Sequence, residues 1–537
     1  MAWFLWMAVY YGFRLFALTP WYDELYTYYY FISRGPVYAA IHWPLPNNHV
    51  GYSTLSAVLN WLGNPYIGLR GVSYLCALAN LALLYRIGRK RWGQGWSFCC
   101  VALYSGMNLV NQLAVQGRGY ALATTCFLLA VYMIEVIGFG QEKGIREEWK
   151  HYMIFSLSLT LGLYVLPSSV YWTLPVCIAG GVFLLLQRQI KKLLYLIGAS
   201  AVAAVNAFLL YAVIWLAIGS NLLSKVEGGR HFGQGHVSII LSAPFQVMKT
   251  GMDYMLDTPY IQSVAREGYA AAFGIWLRSL LSYFYSNAWR FLAVAIVAGT
   301  LAMTASFVKA YREGKAEPLF FSIFLICMMT LTPLILVIQC KLPYFRVFSY
   351  MGAPLAMLLC ALLQMVVCSV KGCLQRRKTP GSADACGKIC ENPAVQESVW
   401  NLTEPKRAGI DRNGIFCMAV CGILAVAWLL SAGYNQEYGI TESYAKDALA
   451  HAWVEEKETI CVTDCHQQYL LQFGYGITCE NMQIEGSDLV LLHREMLERQ
   501  PGNARWEFYQ NYDSIPWDYI AGMEKAYENE EYIVYVK

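Results

Sequence analysis

Charge is what this chain has least of. Asp, Glu, Lys and Arg make up 14% of its 537 residues, against 57% hydrophobic, where soluble globular domains carry about a quarter charged. That balance excludes an aqueous fold and makes the bilayer the solvent in which the chain settles. The net charge of +4 is small, and the basic residues lie between apolar runs instead of massing on one face, so no nucleic-acid partner is expected. A disulfide framework is missing too. Most of the 17 cysteines (Cys76, Cys99, Cys100, Cys126, Cys177, Cys327, Cys360, Cys417 and Cys421 among them) sit inside apolar runs, where a thiol behaves as a small hydrophobe. Cys461, Cys465 and Cys479 are the exceptions, and an oxidising exterior could join two of them. No repeat at a solenoid or propeller period is found, nor the inverted pair of broken hydrophobic segments that transporters carry. Residues 2–18 lack a basic n-region and a small-residue cleavage site, so they read as a first short span and not as a removed signal peptide.

What is abundant is apolar length. Crossing the hydrocarbon core takes roughly 20 mostly apolar residues, and eleven windows approach that standard, near 3–18, 67–85, 95–112, 119–138, 152–166, 171–186, 193–217, 289–308, 318–338, 349–370 and 414–432. Alternate connections differ in basic content, with 21 Lys and Arg in one set and nine in the other, although the poorer set contains the long segments 19–66 and 219–288. Basic residues are retained on the cytoplasmic side. The N-terminus is therefore expected inside and the C-terminal region outside. Residues 371–413 have linker composition, with Cys386 and Cys390 too few for a metal site. Beyond 433 the chain turns polar. Runs such as Thr459-Ile460-Cys461-Val462 and Tyr532-Ile533-Val534-Tyr535-Val536 predict strands of a small external α/β appendage.

Chemistry is confined to a few short patches on the outer side. Asp23 and Glu24, in Trp21-Tyr22-Asp23-Glu24-Leu25, follow the first span directly. Acids at a membrane boundary serve a cavity, or else form an interfacial pair between aromatic anchors. Pro46-Asn47-Asn48-His49 precedes an apolar run; His49 suits a metal ligand or proton carrier, and equally an ordinary loop histidine. Gln116-Gly117-Arg118-Gly119-Tyr120 is a tight turn whose arginine can grip a phosphate oxyanion with its planar fork, or snorkel at the interface. Lys341-Leu342-Pro343-Tyr344-Phe345-Arg346 sets two further cations on the same side, a second anion-site candidate. His231 and His236, five apart in the large external loop, match no helical metal pair and read as flexible substrate-loop residues.

An acid pair after span one, an Asn-His turn before span two and a Gln-x-Arg-x-Tyr turn between spans three and four form an ordered set. It resembles the GT-C glycosyltransferases, in the branch of protein O-mannosyltransferases and lipid A aminoarabinose transferases. The resemblance spans roughly residues 1–370, is clearest over 15–140 and fades in the appendage. It implies a GT-C-like bundle of about 11 transmembrane helices in all, with a catalytic region at 1–370, a cytoplasmic linker at 371–413, the last helix at 414–432 and an extracytoplasmic appendage at 433–537. By position, Asp23 matches the catalytic acid, a general base on an acceptor hydroxyl or amine, with Glu24 as its companion. Asn48 and His49 match the Asn-His turn, a possible metal or acceptor site, although Val50 and Gly51 stand where prolines are common. Arg118 and Tyr120 match the pair near the lipid phosphate, with Gly119 in place of the usual proline, and Lys341 and Arg346 fit a later phosphate-contacting region loosely. The resemblance thus implies an inverting transfer from a polyprenyl-phosphate-linked sugar to an extracytoplasmic glycan, lipid or protein, within the membrane lipid of the cell envelope. It leaves a divalent metal ion open. The rival readings are a lipid-linked sugar flippase, a surface-polysaccharide polymerase or ligase, and a noncatalytic envelope-biogenesis protein; spans almost free of charge and acids outside them weigh toward the enzyme.

Overall fold

The computed structural model describes residues 2–42, 48–140, 145–256, 262–378, 459–480, 483–497 and 512–537, with isolated positions between 418 and 450. Backbone N–H and C=O groups find no water in a bilayer core and must pair within their own segment, so the apolar runs become helices. In chain order these are α1 (Ala2–Ala17), α2 (Tyr22–Tyr30), α3 (Pro36–Ile41), α4 (Val50–Leu59), α5 (Pro65–Ser105), α6 (Asn108–Val115), α7 (Tyr120–Phe139) and α8 (Ile145–Val165). They continue as α9 (Val170–Leu186), α10 (Ile190–Lys225), α11 (His236–Ser242), α12 (Pro244–Leu256), α13 (Arg266–Phe284), α14 (Trp289–Glu313), α15 (Ala316–Gln339) and α16 (Gly352–Lys378).

Among the described residues, seven helical stretches are long and apolar enough to cross a membrane: Pro65–Ser105, Tyr120–Phe139, Pro167–Leu186, Ile190–Lys225, Trp289–Glu313, Ala316–Gln339 and Phe345–Val370. The difference from about eleven has three sources. The second and third expected spans share α5, which folds back at Gly93 (φ 72°): a Cβ on Gly88 would stand 3.2 Å from Ser97 Oγ, whereas a straight helix would separate those residues by about 13 Å. The first and fifth fall on α1, only 16 residues long, and on α8, whose opening turns carry Arg146, Glu147, Glu148 and Lys150. The eleventh, 414–432, lies almost wholly outside the described residues, as do Cys386, Cys390 and 379–413.

The helices share one apolar core that includes Leu81, Phe127, Trp172, Phe324 and Tyr350. Long apolar side chains also face outward, as on α1, where Leu5, Val9 and Phe13 are exposed while Met7, Tyr11 and Leu15 are buried; that stripe suits lipid. One end of the bundle is latched by polar contacts. Arg91 pairs with Glu135, and Lys192 donates to the carbonyls of Ile137 (2.9 Å) and Gly140 (2.8 Å). The segments carrying Asp23, His49, Arg118 and Arg346 gather away from this latch, at the opposite ends of the same helices.

The stretch 219–288, expected as a loop, is mostly helix. α12 lies against α10 so closely that a Cβ on Gly219 would stand 1.9 Å from Val247 O, and one on Gly251 2.0 Å from Trp215 O. Two glycines thus permit the backbone contact that steadies the segment. His231 is buried with Nδ1 3.2 Å from Gln234 Oε1, whereas His236 is exposed and opens α11.

The appendage is the expected α/β unit. β3 (Ile460–Val462), α17 (Cys465–Tyr475) and β4 (Leu489–His493) form a parallel β-α-β crossover, and β5 (Glu524–Glu528) and β6 (Tyr532–Val536) complete a sheet of order β3-β4-β6-β5. β1 (Gln262–Ser263) and β2 (Lys341–Leu342) form a separate two-residue ribbon. The expected strands at 459–462 and 532–536 are present. Cys461, Cys465 and Cys479 are buried, and no disulfide joins any two of them.

Candidate active site

The site begins at the first turn of α2. Two acids there complement the positive end of the helix dipole, but packing gives them different work. Glu24 accepts from the backbone N–H of Trp21 (2.9 Å) and so caps the helix. Its carboxylate is fully buried and grips Arg70 through two bonds, Nε to Oε1 at 2.8 Å and Nη2 to Oε2 at 3.0 Å, while Gly117 N–H donates to Oε1 at 2.6 Å. Arg70 Nη1 also donates to the carbonyls of Leu15 (3.0 Å) and Leu18 (2.7 Å), satisfying the end of α1. Asp23 instead stays about a quarter exposed. Its Oδ2 accepts from Arg346 Nη1 at 2.7 Å. Burial pushes the Asp23 carboxyl up, but the neighbouring Arg118 and Arg346 guanidiniums outweigh that and hold it below its ordinary range.

The turn after α6 forms the second wall. Ser73 Oγ donates to the carbonyls of Gln116 (2.6 Å) and Arg118 (3.1 Å), pinning the turn to α5. Its glycines are demanded by crowding: a Cβ on Gly117 would lie 2.5 Å from Leu69 Cδ1, and one on Gly119 2.4 Å from Val165 Cγ1. Arg118 Nη1 donates to Thr27 Oγ1 (2.7 Å) and to the carbonyl of Asp23 (3.2 Å), and its Nη2 lies 3.1 Å from His49 Nε2. His49 Nδ1 accepts from Gly119 N–H at 2.9 Å, and the Tyr120 ring stands edge-on to the imidazole at 5.1 Å. Burial, then Arg118 and Arg346, hold the His49 pKa well below its ordinary value, so the ring is neutral. Asn48 turns inward and donates to the carbonyls of Ala39 (2.9 Å) and His42 (3.0 Å) while accepting from Ser53 Oγ (2.7 Å). Its amide secures the chain before α4.

Arg346 lies in the 3-10 segment Phe345–Met351, its guanidinium 5.5 Å from the rings of Trp21 and of Tyr344. The structure therefore brings together Asp23, Glu24, His49, Arg118, Tyr120 and Arg346. Lys341 pairs with Ser263 in the short ribbon, and no described contact links its ammonium to the cluster. From Tyr120, a cavity lined in part by Tyr11, Asn80, Tyr104, Thr124 and Ser349 carries polar groups into the bundle. Among the described residues no three His, Cys, Asp or Glu side chains converge. Asp23, Glu24 and His49 each face a guanidinium, so this donor set fits an anion and does not fit a divalent metal ion.

Two participants escaped the sequence reading. Arg70 lies inside an apolar window, and a charge so placed is itself a signal. His466 left none, because more than 400 residues separate it from α2. It sits in the first turn of α17 with Nε2 3.4 Å from the carbonyl of Pro20 and its ring edge-on to Tyr22 at 5.8 Å. Burial lowers its pKa, and its charge state bears on Asp23. Farther along α17, Tyr469 stacks on Tyr29 at 5.2 Å and Phe473 meets Tyr28 at 5.0 Å.

A polytopic helical bundle with an acid-and-arginine cluster at one end and an α/β appendage docked beside it is an integral membrane protein of GT-C-like fold. The chain is similar to ArnT from Cupriavidus metallidurans bound to undecaprenyl phosphate, with 11% identity, a TM-score of 0.53, and coverage of 99% of this chain and 97% of that one. ArnT from the same organism in the apo state matches with 10% identity, a TM-score of 0.51 and the same coverage. No protein-family model and no curated protein matches the sequence.

Proposed function

We propose that this protein is a membrane glycosyltransferase that moves a sugar from a polyprenyl-phosphate donor to an extracytoplasmic acceptor. The observation that carries the reading is the meeting of Asp23 with Arg118 and Arg346 at one end of the bundle. A carboxylate base and fixed cations at one spot are what displacement of a phosphate by a hydroxyl or amine requires. The excess of Lys and Arg in the alternate connections supports placing this end outside.

In the reaction the acceptor O–H or N–H gives its proton to the Asp23 carboxylate as its oxygen or nitrogen bonds to the anomeric carbon. The carbon–oxygen bond to the lipid phosphate breaks, its electron pair leaves with the phosphate, and configuration inverts. Charge grows on the leaving phosphate, where Arg118 and Arg346 stabilise it. Glu24 touches no substrate; held by Arg70 and Gly117, it positions the α2 turn that presents Asp23. Similarity to a protein solved with undecaprenyl phosphate supports the donor class. The test compares label transfer from membrane lipid to macromolecular acceptors at matched protein abundance. Asp23→Asn should lower the rate by about 10²- to 10⁴-fold, the usual contribution of a general base. Full activity in the variant would refute the assignment, and no transfer from either form would favour a flippase or a scaffold.

A further inference from the structure

At the end of the bundle away from Asp23, α5 carries Arg86, Arg89, Lys90 and Arg91 just past the apolar window 67–85. Arg91 turns inward to Glu135. Arg86, Arg89 and Lys90 are exposed, and among the described residues no carboxylate forms an ion pair with any of them. Glu317 on α15 senses Lys90, but more weakly than it senses Arg91. Cations four apart on a helix repel and ordinarily splay into water at the bilayer edge. Arg86 and Lys90 instead close on one ring of α7: the guanidinium carbon lies 5.0 Å and the ammonium 4.7 Å from the centroid of Tyr132. The two charges are thus within about 10 Å of each other, no farther than like charges repel at moderate salt. Arg86 Nε donates to the Tyr132 hydroxyl at 2.8 Å. That bond leaves the two Nη groups of Arg86, the phenol proton and the Lys90 ammonium as donors, and none of them has an acceptor among the described residues.

We propose that Arg86, Lys90 and Tyr132 bind an anionic phospholipid of the leaflet opposite the Asp23 site, its phosphodiester bridging the guanidinium and the ammonium. The guanidinium fork takes two phosphate oxygens, and the ammonium adds a point charge. Basic clusters at the end of an apolar span attract acidic headgroups in this way. Toward the bilayer centre the same faces turn apolar, with Leu75 and Ala82 exposed on α5 and Leu129 half-buried on α7, so an acyl chain has a surface to follow and a free phosphate ion does not. Arg70 lies farther up α5, and Tyr120 opens α7. The lipid therefore pins together the far ends of two helices that build the site.

The experiment titrates the full-length, delipidated protein in detergent with phosphatidylglycerol and with phosphatidylcholine of the same chains, counting bound lipids by native mass spectrometry. The wild type should prefer phosphatidylglycerol. Arg86→Gln and Lys90→Gln should each lose about fivefold of that preference and the double variant roughly thirty-fold, the worth of one headgroup-level cation apiece. Lys150→Gln removes an exposed cation from α8, away from the ring, and should bind like wild type. Excess inorganic phosphate should leave the bound lipid in place. A double variant that keeps the preference, a loss in Lys150→Gln equal to that in Lys90→Gln, displacement by inorganic phosphate, or a wild type without preference each overturns the inference.

Discussion

Asp23 carries a tension that its neighbours explain. As a base it needs to be ionised, and the two arginines guarantee that across the neutral range, but the same cations weaken its pull on a proton. On the proposed function a donor phosphate would compete for Arg346, and drawing that guanidinium away would strengthen the base. Because the folded pKa is depressed, the native carboxylate stays ionised below its ordinary titration range, and the stability this confers is complete above the ordinary value and is lost as pH falls from there through the folded pKa. Arg346→Gln removes part of the depression and should move the acid limb of the pH–rate profile upward, in the direction of the ordinary carboxylate value of about 3.9. Initial rates across that range check it, and an unmoved limb would mean that Arg346 does not govern Asp23. At this scale Asp23 and Arg118 were legible because charge at a membrane boundary is expensive. The division of labour between Asp23 and Glu24 was not, since two adjacent acids look alike until the helix turns one inward to Arg70.

Elements are tied together at that inward acid. Arg70 on α5 ends α1 through two carbonyls and holds α2 through Glu24, which in turn holds the turn at Gly117. Removing one partner of a buried pair leaves an uncompensated charge, whereas removing both leaves none. Arg70→Met should therefore destabilise the protein by about 3–5 kcal/mol, and adding Glu24→Leu should restore part of the loss. Denaturation in detergent, followed by near-ultraviolet circular dichroism, reads both. Equal stability of the single variant and wild type would show that the pair is not a structural tie. Helices were legible from apolar length, but the fold-back of α5 depends on one glycine with positive φ, and the ordering of 219–288 on close backbone approach at Gly219 and Gly251. Length and composition register neither.

At the scale of the whole molecule, the appendage is docked on the helix that carries Asp23. His466, Tyr469 and Phe473 of α17 all meet α2 or the residues just before it. Acceptor handling by this domain follows as a hypothesis from where it sits. Replacing Tyr469 and Phe473 by Ala should loosen the docking, lowering transfer to macromolecular acceptors about tenfold or more through lost positioning, with undecaprenyl phosphate binding unchanged. Equal transfer would mean that the domain is a bystander, and loss of lipid binding would mean that it supports the fold instead.

Composition and apolar length by themselves determined that the chain lives in a bilayer as a bundle of helices, because a solvent without hydrogen bonds leaves the backbone few other solutions. The order of short polar motifs pointed to Asp23, His49 and Arg118, since charged and titratable groups survive near lipid where they serve a purpose. Only the tertiary structure decided which acid is buried, which nitrogen of His49 faces Gly119, that Arg346 reaches Asp23 and that His466 approaches it from the far end of the chain. Those outcomes turn on distances of a few ångströms between residues tens to hundreds apart in sequence, and a linear pattern does not encode contact.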